Sequence, residues 1–323
     1  MKPGAVSREG WILVGAPLLL SPWLLGSGSD ELSQPATRCA ASTLLMAVLW
    51  ATEALPLAVT ALLPFALFPL LGIRSSSDTA ATFFTDTQFL NLGGQMIAAA
   101  IEGQNLHTRI ALRVLLVVGT APRRLLLGFM LACAFLSMWM SNTATAGMMM
   151  PIARTLLATI SSRSSGADVE AVRRYRQGVL LGVAYGCSVG GIATLTGTPA
   201  NIILAGFISE QYPEFGDVSF TAWFVTMLPL ALLLIVGVWA ILCCTFVDAS
   251  RLQPVGRHVL TREYSALGEP QFGEKLIGYH FIVLIVLWLS RAPPPPLIGW
   301  GAAFTPGYIS DSTAAMVVRQ TPF

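Results

Sequence analysis

Ser141-Asn142-Thr143 is a short polar tripeptide set in an apolar stretch. It joins two apolar runs, LLLGFMLACAFLSMWM from Leu125 and ATAGMMMPIARTLLATI ending at Ile160, with no hydrophilic loop between them. A second polar stretch follows Gly190-Gly191, running Thr194-Leu195-Thr196-Gly197-Thr198-Pro199-Ala200-Asn201 inside an otherwise apolar segment. Where one helix ends, its unpaired carbonyls carry the negative pole of the dipole; where the next begins, free N–H groups carry the positive pole. Carbonyl, hydroxyl and amide oxygens suit a hard monovalent cation such as sodium. Free N–H groups with Ser, Thr and Asn donors suit a carboxylate or another oxyanion.

Composition sets the kind of scaffold that holds this tripeptide. The chain has 323 residues, 54% hydrophobic and 11% charged, with a mean hydropathy of +0.67. A soluble domain carries about 25% charged residues, so an all-α polytopic membrane protein is expected. The runs flanking Ser141-Asn142-Thr143 are each short of the roughly 20 residues of a full crossing. Arg123 and Arg124 precede them, and Arg163, Arg173, Arg174 and Arg176 follow. By the positive-inside bias both ends are cytoplasmic, and a re-entrant helical hairpin with its tip inside the membrane satisfies both facts.

The rest of the chain divides around that hairpin. Residues 1–37 are an N-terminal segment with a first transmembrane helix, Trp11 to Leu25. Residues 38–105 are scaffold helices, turned at Thr52-Glu53-Ala54-Leu55-Pro56, where proline disfavours helix. Residues 106–119 form an amphipathic helix at the cytoplasmic interface, with Leu106, Ile110, Val114 and Val117 on one face and Arg109 and Arg113 on another. Residues 120–208 hold the hairpin and a broken helix, which unwinds near Gly191 to Gly197 and restarts at Pro199 with Thr198 as N-cap. Residues 209–275 supply a transmembrane helix and a cytoplasmic loop, and 276–323 the start of a second repeat. Unwound backbone at membrane depth is sheltered only by protein or a water-filled cavity, and discontinuous helices of this kind are the usual site of secondary transporters.

Ser137 to Thr145 and Gly190 to Asn201 resemble the two signature segments of the divalent anion/sodium symporter family, the sodium-coupled di- and tricarboxylate transporters and their sulfate relatives. Thr52-Glu53-Ala54-Leu55-Pro56 and Asn105-Leu106-His107 with Arg109 resemble further family patterns, and the likeness runs from about Arg38 to Met316. The resemblance implies an elevator-type homodimer in the lipid bilayer, with a static scaffold, a moving transport domain and two inverted repeats per protomer. Sodium would be held by Ser137, Ser141 and Asn142 with backbone of Gly190, Gly191 and Gly197. The anion, a di- or tricarboxylate or sulfate, would meet Asn142, Thr143, Thr196, Gly197 and Thr198, with Asn201 steadying the restarted helix. The second repeat, with its own Ser-Asn-Thr, does not follow, and the chain is expected to be truncated after the first. The resemblance places it in the plasma membrane.

Two other classes of function are compatible with parts of this sequence. A half-transporter without its second repeat would be a non-transporting interaction or regulatory subunit. An intramembrane enzyme would need Ser141 as nucleophile, yet the sequence has no G-x-S-x-G elbow and no H-E-x-x-H pair. No metal beyond sodium is expected, because the five cysteines lack ligand spacing. His107 and His280 read as core or interfacial side chains, and Glu53 and Glu102 as structural carboxylates. No basic stripe with interleaved aromatics points to nucleic acid.

Overall fold

The computed structural model describes Gly15, residues 34–161 and residues 168–319 apart from positions 213, 215, 217, 249, 253, 255, 295 and 306. Apart from Gly15, the expected first span at Trp11 to Leu25 lies outside the described residues. All regular elements among the described residues are helices. Two of them, Phe220–Phe246 and Phe272–Arg291, are long and apolar enough to cross a membrane, with mean hydropathies of 2.7 and 1.6. The chain divides into two compact units, Met1–Thr85 and Asp86–Phe323.

The first unit contains α1 (Gln34–Thr52), α2 (Leu57–Ala61), α3 (Leu63–Leu70) and α4 (Ser76–Phe83). Glu53 follows α1 in the left-handed region at φ 52°, and Pro56 precedes α2 in an extended conformation. The turn expected at this place is therefore present, with Glu53 exposed. The apolar stretch from Leu57 to Leu70 is divided at Leu62, and Pro64 lies in the first turn of its second half. Arg38 donates to the Leu71 carbonyl at 2.7 Å, joining the start of α1 to the end of α3.

The second unit is built around α7 (Pro122–Ser137) and contains α5 (Asp86–Gly103), α6 (Leu106–Val118), α8 (Asn142–Ser161), α9 (Asp168–Ala193) and α10 (Pro199–Gln211). It continues with α11 (Phe220–Phe246), α12 (Arg257–Ala266), α13 (Phe272–Arg291) and α14 (Asp311–Arg319). Leu125, Leu126, Phe129, Met130, Ala132 and Cys133 of α7 are all fully enclosed. Small residues on α9 allow that closeness. A Cβ at Gly186 would lie 2.9 Å from the Met130 carbonyl oxygen, and one at Gly190 would overlap the Ala134 backbone. Backbones in such contact exclude any side chain between them.

Helix α6 ends at Val118, one residue short of the expected 106–119, and one face is turned differently. His107, Arg109, Ala111, Leu112 and Leu115 are buried, while Arg113 is exposed and Val117 is 77% exposed. Arg109 was expected on a solvated basic face. It instead donates from Nε to Glu274 at 3.0 Å and from Nη1 to the Gly268 carbonyl at 3.0 Å. Its guanidinium also lies 5.7 Å from the Tyr264 ring centre. A buried guanidinium needs a carboxylate and acceptors for its remaining N–H groups, and both come from residues over 150 positions away. The hydrogen bond to Glu274 raises the Arg109 pKa above its ordinary value, and burial lowers that of His107.

A second buried ion pair closes the other end of this unit. Asp311 receives Arg291 Nε at 2.5 Å and Nη2 at 3.0 Å, and also the Phe220 N–H at 2.8 Å. Trp288 Nε1 donates to the Asp311 carbonyl at 2.9 Å. Asp86 accepts the hydroxyls of Ser310 and Ser312. The starts of α5, α11 and α14 are thereby tied to the end of α13.

Candidate functional site

The link between α7 and α8 is four residues long, Met138 to Ser141, and the link between α9 and α10 is five, Thr194 to Thr198. Both are placed by local sequence. Pro199 occupies the first turn of α10, where a missing N–H is harmless. Ser141 caps α8, its hydroxyl accepting the Ala144 N–H at 3.2 Å. Trp139 anchors the first link: its ring stacks on Trp288 at 6.4 Å and meets Phe281 edge-on at 5.2 Å.

The two links are stitched together. The Thr194 hydroxyl donates to the Met138 carbonyl. Ser137, fully buried, donates to Asn142 Oδ1 at 2.5 Å. A Cβ at Gly191 would come 2.5 Å from that same oxygen, so the bare Gly191 lets the Asn142 amide lie on the end of α9. Gly197 folds back in the same way, for a Cβ there would lie 2.6 Å from the Gly191 carbonyl oxygen. Ser137, Asn142, Gly191 and Gly197 thus form one contiguous group drawn from both sequence stretches.

The remaining candidates fall around this group. Thr196 lies against Gly94 of α5, and its buried hydroxyl has no hydrogen-bond partner. Thr198 takes the N-cap position expected of it, in extended conformation, but its side chain makes no capping bond. Ser141 and Thr143 are exposed on the first turn of α8. Gly190 belongs to the α7–α9 crossing, and the unwinding expected from Gly191 starts later, because α9 continues through both glycines to Ala193. The glycines serve close approach, and the turn itself begins at Thr194.

Asn201 was expected to steady α10, its own helix. Its amide instead reaches back to the end of α9, donating to the Gly191 carbonyl at 2.9 Å and the Thr194 carbonyl at 2.8 Å. It caps the helix before the break from the helix after it. Trp223 of α11 adds a donor to the Ile192 carbonyl at 3.0 Å. Each of these carbonyls keeps a second lone pair for another partner.

Three residues of this neighbourhood were not singled out from sequence. Thr194 lies in the polar stretch, and its hydroxyl in an apolar segment is the signal that could have found it. Thr145, 1% exposed and with an unpartnered hydroxyl, follows three residues after Asn142. Trp223 offers no local signal, since only the fold brings it to the end of α9. All the side chains brought together here are neutral. They offer oxygen ligands at the ends of α7 and α9, and N–H groups at the starts of α8 and α10, the division of labour that a cation and an anion in one place require.

Comparison with known proteins bears on the whole length. Residues 10–321 match the family described as the sodium:sulfate symporter transmembrane region. The Na(+)/dicarboxylate cotransporter 3 of Rattus norvegicus is 36% identical over 97% of this chain and 63% of its own length. The Na(+)/citrate cotransporter of Rattus norvegicus is 35% identical over 95% and 62%, and solute carrier family 13 member 2 of Homo sapiens 36% over 96% and 62%. The chain therefore spans about three fifths of the length of these curated relatives.

Proposed function

Because this chain belongs to the sodium:sulfate symporter family, we propose that it serves sodium-coupled transport of a di- or tricarboxylate, binding both ions where the two interrupted segments meet. Ser137, Ser141, Asn142 and the backbone of Gly190, Gly191 and Gly197 supply the oxygens around sodium. Asn142, Thr143, Thr196, Gly197 and Thr198 face the anion, and Asn201 holds the end of α9 in shape. The single observation that carries this reading is the joining of Asn142 to Ser137 at 2.5 Å and to the bare face of Gly191. It supports a site in which the end of α7 and the start of α8 act with the end of α9. No protein charge is needed there, because sodium supplies the positive charge that a carboxylate requires.

In the same reading α7 and α8 are a re-entrant hairpin, and α9 with α10 a broken transmembrane helix, within a polytopic chain of the plasma membrane. Residues 38–105 act as scaffold and 120–208 as the moving part of an elevator-type homodimer. Relatives named for dicarboxylate and citrate favour carboxylates over sulfate as the anion.

The test is sodium-dependent succinate and citrate binding to the purified chain, with and without Asn142→Ala. Loss of sodium-dependent binding in the variant is expected; unaltered sodium affinity would sink the assignment. Running sulfate beside the carboxylates decides the anion class.

A further inference from the structure

At the opposite end of α7 from Asn142, three arginines from three helices line one cleft of about 700 Å³. Arg113 comes from α6, Arg124 from the first turn of α7 and Arg257 from the first residue of α12, with Thr120 and Thr261 beside them. The cleft has no carboxylate in its lining. Arg109, Arg173, Arg251 and Arg291 each have a carboxylate within 4 Å; Arg113, Arg124 and Arg257, like Arg123, Arg174 and Arg262, have none among the described residues, and what sets the three apart is that they share one cleft. Three gathered cations without a counter-charge repel one another, and an incoming anion relieves that repulsion.

The local geometry favours a phosphoryl group. Gly119 ends α6 at φ +107°, and a Cβ there would lie 3.7 Å from Arg124 Nη1, so this guanidinium rests over the bare turn. Ala121, the N-cap of α7, also lines the cleft, which brings the N–H groups of a 16-residue helix to its edge. Guanidinium groups match phosphate oxygens in pairs.

The neighbouring surface is apolar. Leu116 and Val117 line the same cleft, and Val117 is 77% exposed. A soluble phosphate has no use for that wall, while an acyl chain does. Basic pockets between helices on the cytoplasmic side of membrane proteins take phospholipid headgroups, and the arginine-rich flanks of α7 and α8 place this end on that side.

We propose that this cleft binds the phosphate of an anionic phospholipid, with its acyl chains against Val117 and the outer face of α6. The site stands about 24 Å from the hairpin tip, the length of a helix such as α7, and is separate from the sodium and anion site. A bound headgroup would clamp the start of α12 to the α6–α7 corner.

The experiment is native mass spectrometry of the purified full chain incubated with dioleoyl phosphatidic acid against dioleoyl phosphatidylcholine. Preferential retention of phosphatidic acid is expected. Near a membrane surface each arginine contributes about fivefold to affinity, so combining Arg113→Gln, Arg124→Gln and Arg257→Gln weakens retention on the order of a hundredfold. Arg262→Gln, an exposed position on α12 outside the cleft, leaves it unchanged. Equal retention by wild type and triple variant would overturn the proposal, as would an equal loss in Arg262→Gln. Displacement of the lipid by inorganic phosphate alone at comparable concentration would assign the cleft to a soluble phosphate instead and likewise overturn it. If the triple variant does not fold, Arg257→Gln alone, expected to weaken retention about fivefold, is read by the same criteria.

Discussion

The second unit contains two buried polar assemblies that solve the same problem in opposite ways. At the Arg291–Asp311 pair, two full charges are enclosed, with side-chain exposures of 14% and 7%. No buried polar side-chain atom of the pair lacks a partner: Asp311 takes Arg291 Nε and Nη2 and the Phe220 N–H, while Ile309 accepts from Arg291 Nη1 at 3.2 Å. Where α7–α8 meets α9–α10 the groups are neutral, and some are left over. The hydroxyls of Thr145 and Thr196 are buried without partners. An assembly closed on itself holds helices in place; in the function we propose, the one with spare oxygens and N–H groups receives the ligands. Burial of polar groups is thus not by itself a mark of function.

The sharpest way to break the contrast is Asp311→Ala. It strands a buried guanidinium and the first N–H of α11, and removing one member of such a pair costs about 3–5 kcal/mol. Little folded protein is expected on size exclusion; a wild-type melting temperature would show that the pair holds nothing. A smaller loss is expected of Asn201→Ala, which leaves the Gly191 carbonyl at the end of α9 without its donor, at about 1–3 kcal/mol. A lowered melting temperature that sodium no longer raises would tie Asn201 to the shape of the binding region. Thr145→Val has the smallest effect on stability. Replacing an unpartnered hydroxyl by a methyl of the same shape is near neutral, within about 1 kcal/mol, so the melting temperature should hold. A marked drop would show that the hydroxyl already has a protein partner, and the two assemblies would then be alike.

Much of the local architecture was legible because it rests on local rules. Pro199 sits in the first turn of α10 where the sequence put it, and the period of Leu106 to Val118 is that of a helix. Gly191 misled for a physical reason. Low helix propensity at Gly191 predicts unwinding there, but its contact with Asn142 outweighs about 1 kcal/mol of propensity. Arg109 misled similarly, since a helical wheel shows its angle and not the Glu274 carboxylate that waits 165 residues away.

The sequence by itself determined that the chain is apolar and helical, that polar residues interrupt it at two places, and which residue types those interruptions hold. These follow from composition, periodicity and the short-range chemistry of caps and prolines. Only the tertiary structure decided that the two interruptions touch, that Asn142 lies on Gly191, that Asn201 reaches back to α9, and that three unpaired arginines share a cleft. Such contacts depend on how closely backbones approach, and that distance is set by all the packed side chains together, not by any local run of residues.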